Sequence, residues 1–215
     1  MSKKSELLNV IEGYKRQQEL FKEKVNEIES RPYLMQEGKE IEIEKIAIPF
    51  KEVAQNYQNR ALQILNSGIE ALEKKWRDNS AGRLLDSNYQ IGLTNAMKII
   101  ESGAITNQED FQNIINVYKD DYNALAMLRS LAVNCEKVYG FSVLIPKDNR
   151  EYNKKSLNDI KNNIQKYISP YSIRESLTMS LLGIIDFINT RLKDDLTIIP
   201  WEEVQKTNYG RITYN

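Results

Sequence analysis

The sequence contains no histidine and only one cysteine. Without an imidazole there is no base for a Ser–His–Asp or Cys–His nucleophile, and no ligand for a His-bound zinc, copper or iron. A single thiol makes neither an intrachain disulfide nor a four-cysteine metal site. That thiol, Cys135, lies among apolar residues in LAVNCEKVYG and is expected to be a small core side chain. Long apolar runs are lacking as well. The richest, LTMSLLGIIDFI (177–188), falls short of the ~20 residues a membrane span needs and contains Asp186. The opening MSKKSELLNV has no apolar core of a signal peptide. The expectation is a protein that is neither secreted nor membrane-bound.

An excess of charge of either sign is also missing. Thirty Lys and Arg balance thirty Asp and Glu. A dedicated nucleic-acid binder usually carries a basic surplus, and an acidic mimic needs the opposite. Neither is expected. No G-x-x-x-x-G-K-[ST] or G-x-G-x-x-G phosphate loop occurs, and no D-x-[DN]-x-[DN]-G calcium loop. The adjacent pairs Asp120-Asp121 and Asp194-Asp195 would point about 100° apart on a helix, which is a poor metal clamp. Thirty carboxylates single out no catalytic pair. The chain is expected to be non-enzymatic, with no metal and no cofactor.

What is present is helical periodicity. Nine glycines and five prolines divide the chain sparsely. In residues 5–30, Leu7, Ile11, Tyr14, Gln18, Phe21, Val25 and Ile28 follow alternating steps of four and three, a heptad seam with one polar position. Ser5 is the expected cap, and Arg31-Pro32 ends the helix. After the connector YLMQEG, the segment IEIEKIAIPF mixes strand-like and helix-like signals, with helix favoured and Pro49 expected to stop or kink it. From Phe50, the residues Val53, Tyr57 and Ile64, then Leu65, Ile69, Leu72 and Trp76, continue a helix to about residue 76. The two helices should form an antiparallel hairpin.

DNSAG (78–82) is the clearest break. Helices are then expected over 86–101, over 107–118 behind a Thr106–Glu109 capping box, and over 120–138. The segment FSVLIP (141–146) reads as a buried extended connector. Lys119, Asp120, Asp121 and Tyr122, with Asn123 and Arg129, are expected to form a polar network where two helices meet. Two more helices follow, one around 157–168 and one over 172–194, the latter apolar over a wide face and expected at the centre of the second core. The final TIIPWEEVQKTNYGRITYN carries three aromatic anchors, Trp201, Tyr209 and Tyr214. Such a tail either packs on its own domain or docks on a neighbouring subunit or partner. The expected architecture is all-α: a coiled-coil-like hairpin (1–80), a compact helical bundle (81–196) and a C-terminal arm (197–215). Leu7, Ile11, Tyr14, Phe21, Val25, Ile28, Trp201, Tyr209 and Tyr214 are the candidate interaction residues.

Two stretches carry a resemblance. One is the pair of charged helices joined by R-P-Y-L-M-Q-E-G-K (5–76), and the other is IIESGAITNQEDFQNIINVYKDDYNALAMLRSLA (99–132). Together they resemble small, all-helical, uncharacterised proteins encoded in tailed phages and prophages of Firmicutes, over about two thirds of the chain. The shared pattern includes no catalytic motif, so no functional residue is carried over. The resemblance implies a virion or assembly role, head-associated, scaffold-like or at the head–tail junction. Partners would be other virion proteins or further copies of the chain, in the particle or the host cytoplasm. The alternative it implies is a small protein that binds and inhibits a host defence or regulatory protein.

Overall fold

Ser2, rather than Ser5, begins the first helix. Its hydroxyl accepts the Ser5 amide at 3.1 Å, and α1 runs Lys3–Glu29. The structure is a computed structural model that describes residues 1–169 and 178–199. Among these residues the protein is all-α, with no strand and one isolated bridge between Leu192 and Ile198. The remaining helices are α2 (Gln36–Ser80), α3 (Ser87–Glu101), α4 (Gln108–Val117), α5 (Tyr122–Asn134), α6 (Arg150–Tyr167) and α7 (Thr178–Arg191). Single 3-10 stretches cover Gly82–Leu85 and Tyr139–Leu144.

Several expectations are corrected in detail. Pro49 does not stop α2, which passes through it for 45 residues and absorbs the first part of the DNSAG break. A proline removes one i→i−4 hydrogen bond. Burial of Ile43, Ala47, Phe50 and Ala54 around it holds the helix together. The cap of α4 is Asn107, whose side chain accepts the Asp110 amide at 2.8 Å, so the box expected at Thr106 is displaced by one residue. FSVLIP is not extended: most of it lies in the 3-10 stretch, which presents Phe141 and Leu144 to a core that also buries Ile145. The helix expected over 172–194 is α7 where it is described. Ile173 and Leu177 lie outside the described residues.

The chain divides into two units. One comprises residues 1–70 and 152–215, the other 71–151. This division does not coincide with the expected boundary at 80, nor does it leave α6 and α7 with the middle helices. In the first unit α7 packs beside α1. The Lys4 ammonium donates to the carbonyls of Asn189 and Leu192, each at 2.8 Å, and so satisfies the C-terminal end of α7. Gln58 on α2 does the same for α6, donating to the carbonyls of Gln165 (3.1 Å) and Ile168 (2.6 Å). At the turn of the hairpin, Lys39 donates to the Glu29 carbonyl at 2.5 Å. The second unit has its own core, built on Leu93, Ile100, Phe111, Ile115, Leu125 and Leu128 from α3, α4 and α5. Among the described residues no helix is long and apolar enough to cross a membrane.

Candidate functional site

The heptad seam is where sequence and structure meet most directly. Leu7, Ile11, Tyr14, Phe21 and Ile28 are buried, Gln18 is buried with them, and Val25 is half-buried. They pack inside the first unit. The Phe21 ring stacks on Phe50 with centroids 4.6 Å apart, and Tyr14 leans on Phe50 (6.2 Å) and Tyr57 (6.0 Å). Aromatic pairs at such distances add to the stabilisation from buried area alone. The matching face of α2 is Ile43, Ala47, Phe50, Ala54, Ala61 and Ile64. Three alanines, at 47, 54 and 61, recur at intervals of seven on this face. Val53, expected on this face, is half-buried, whereas the three alanines are buried. Their spacing was the available signal, since small residues at one heptad position let two helices approach closely. Trp201, Tyr209 and Tyr214 lie outside the described residues.

Two polar groups in this seam have no partner among the described residues: the Tyr14 hydroxyl, and the Gln18 side-chain amide at both its nitrogen and its oxygen. Burial alone pushes the Tyr14 phenol up to about 12. Close approach also explains Gly13, because a methyl built there would stand 2.9 Å from the Tyr57 ring.

The single network expected around Lys119–Arg129 is not what forms: Asp121 and Tyr122 belong to two separate clusters, and Lys119 and Asp120 belong to neither. Asp121, buried in the second unit, caps α5 by accepting the amides of Asn123 and Ala124. Its carboxylate also accepts the Tyr89 hydroxyl at 2.8 Å and the Ser80 hydroxyl at 3.1 Å. Four donors compensate the burial of one carboxylate. Burial, then the bond to Asp121, pushes the Tyr89 phenol up to about 12. The Arg83 guanidinium lies over the Tyr89 ring, 5.1 Å from its centroid. Arg129 is not part of this cluster and donates to the Ile145 carbonyl instead. The second cluster joins Tyr122, Asn149, Asp148 and Arg150: Tyr122 donates to Asn149 at 2.9 Å, and Arg150 holds the Asp148 carboxyl below its usual range.

Comparison with protein-family models, with curated proteins and with solved structures finds no match.

The arrangement offers surfaces. Among the described residues no group of three or more Cys, Asp and Glu side chains is placed to hold a metal ion. Both polar clusters are built from donors and acceptors that satisfy one another. Cys135 is half-buried, with its thiol directed at the Ile100 carbonyl. Exposed apolar side chains occur along the chain, several of them at the turn of the hairpin and on α2 beyond it. Tyr33 and Met35 are 76% and 85% exposed, and Ile41 and Ile48, seven residues apart on α2, are also exposed.

Proposed function

We propose that the protein is a non-enzymatic structural or assembly component of a phage particle, acting through helix-mediated contacts with other virion proteins or with further copies of itself. One observation carries the reading on the structural side: a helical hairpin with a buried aromatic seam presents Tyr33, Met35, Ile41 and Ile48 outward at and beyond its turn. Exposed apolar side chains of this size, set among Lys and Glu, suit a protein–protein contact. On the sequence side the reading is supported by the resemblance of residues 5–76 and 99–132 to small helical proteins of tailed phages. The buried seam residues would then serve to hold the hairpin rigid, with its turn and the first turns of α2 as the contact surface.

The test is quantitative mass spectrometry on purified particles and purified assembly intermediates of the phage or prophage that encodes the chain. The expected result is the protein at a fixed ratio to the major capsid protein in one or both. Its absence from both overturns the reading. The paired replacement of Tyr33 and Met35 by serine should abolish incorporation and leave helicity unchanged.

A further inference from the structure

Within the first unit, α6 and α7 leave between them a groove of about 550 Å³. Tyr152, Tyr167 and Phe187 contribute rings to it, and the buried Ile160 and Ile184 back it. A side chain built at Gly183, which also lines the groove, would meet none of the described residues within 4 Å. A concave, ring-lined surface of this kind favours an apolar occupant over water.

The chain leads its own occupant to the groove. Past α7 it turns back: Ile199 donates its amide to the Arg191 carbonyl at 2.7 Å, and its own carbonyl accepts Arg191 Nε at 3.2 Å and Nη2 at 3.0 Å. The same Nη2 donates to the hydroxyl of Tyr152 at 3.3 Å, and Tyr152 lines the groove. The described chain therefore ends, at Ile199, beside the Tyr152 end of the groove, with its backbone amide and carbonyl both held by Arg191. Sixteen residues follow, Pro200 to Asn215. Extended, they reach roughly 50 Å, whereas the stretch of α6 from Tyr152 to Tyr167 is only about 22 Å long. The first side chain after Pro200 is an indole, and the charged residues of the groove lining are one lysine, Lys155, and one aspartate, Asp159. An aromatic anchor matches a ring-lined groove of balanced charge.

We propose that the segment Pro200–Asn215 of the same chain docks in the α6–α7 groove, with Trp201 as its anchor. This inference does not depend on the assembly reading, and its test reads the chain alone.

The test uses the full-length protein with Trp76→Phe, so that Trp201 is the remaining indole. Trp201 should emit to the blue of free tryptophan and be quenched by acrylamide about threefold less. Gly183→Phe fills the open space and should restore free quenching, with far-UV circular dichroism and monomeric mass unchanged. Lys155→Glu, a milder change at the groove, should move quenching part of the way. Free quenching in the parent protein, or protection indifferent to both substitutions, overturns the proposal. So does protection that disappears on dilution together with a dimeric mass by light scattering, which would assign the groove to the segment of a second copy.

Discussion

Gln18 is the residue whose placement is hardest to account for by stability. The residue is 1% exposed and its amide has no hydrogen-bond partner among the described residues, although it stands in a row of apolar positions. Burying such a group without a partner costs about 1–3 kcal/mol. A polar residue at one seam position is known to trade stability for register in paired helices. Gln18→Leu should therefore raise the midpoint of urea unfolding, by an amount equivalent to about 1–2 kcal/mol. A loss of stability would show that the amide is satisfied in solution by trapped water. Tyr14, one turn earlier, gives a pH signature. Its phenol is held near 12 by burial, as is that of Tyr89 by burial and Asp121, against about 10 in an unfolded chain. The neutral phenols favour the folded state, so their contribution is complete below pH ~10 and disappears as pH rises through the folded values near 12. Thermal melts between pH 9 and 12 should show a steep fall over that window, and Tyr14→Phe should make it shallower while raising neutral-pH stability, since it removes a buried hydroxyl that has no partner among the described residues.

At the scale of elements, the close approaches decide more than the apolar stripe does. Gly68 is buried in α2, and a methyl there would overlap Leu196 Cδ1. Leu196 has little room to yield. It is fully buried and holds a positive φ of 67°, unusual for a leucine, at the turn where the chain reverses after α7. Gly68→Ala should gain the helix propensity of alanine and still lose about 1–3 kcal/mol overall from overpacking. Calorimetry that found a net gain would show that the turn after α7 relaxes freely. The elements also separate what was legible in the sequence from what was not. The α1 seam could be read because one buried stripe on one helix imposes its own period. Val10 and Gly13 are buried beyond that stripe, on a helix that packs beside α7 as well as facing α2. A second partner from the far end of the chain leaves no period of its own. The caps at Ser2 and Asn107 were each misplaced by one to three residues, because several Ser, Thr and Asn compete near each helix start and only backbone geometry selects one.

For the whole molecule, chain connectivity predicts different behaviour for the two units. The second is continuous, 71–151, with its core drawn from residues 93–145. The first is made of both ends of the chain. A fragment spanning 71–151 should unfold cooperatively in urea and keep most of its helicity, whereas a fragment of 1–70 alone should lose much of its own, since α1 then lacks α7 and Gln58 lacks the end of α6. Circular dichroism of the two fragments checks both outcomes, and a fully helical 1–70 fragment would show that the hairpin seam suffices.

By itself the sequence determined that the protein is all-α, that a heptad seam runs from Leu7 to Ile28, and roughly where most of the helices lie. Those properties follow from periodicity and local backbone preference, which act over a few residues. Tertiary structure alone decided that α6 and α7 join the hairpin, that Pro49 sits inside a continuous helix, that the neighbours Asp121 and Tyr122 belong to separate clusters, and that a ring-lined groove lies beside the point where the chain passes Ile199. The pairing of helices more than a hundred residues apart is set by complementary surfaces. Steric fit at Gly13, Gly68 and the alanine row chooses among partners whose apolar stripes look alike in one dimension.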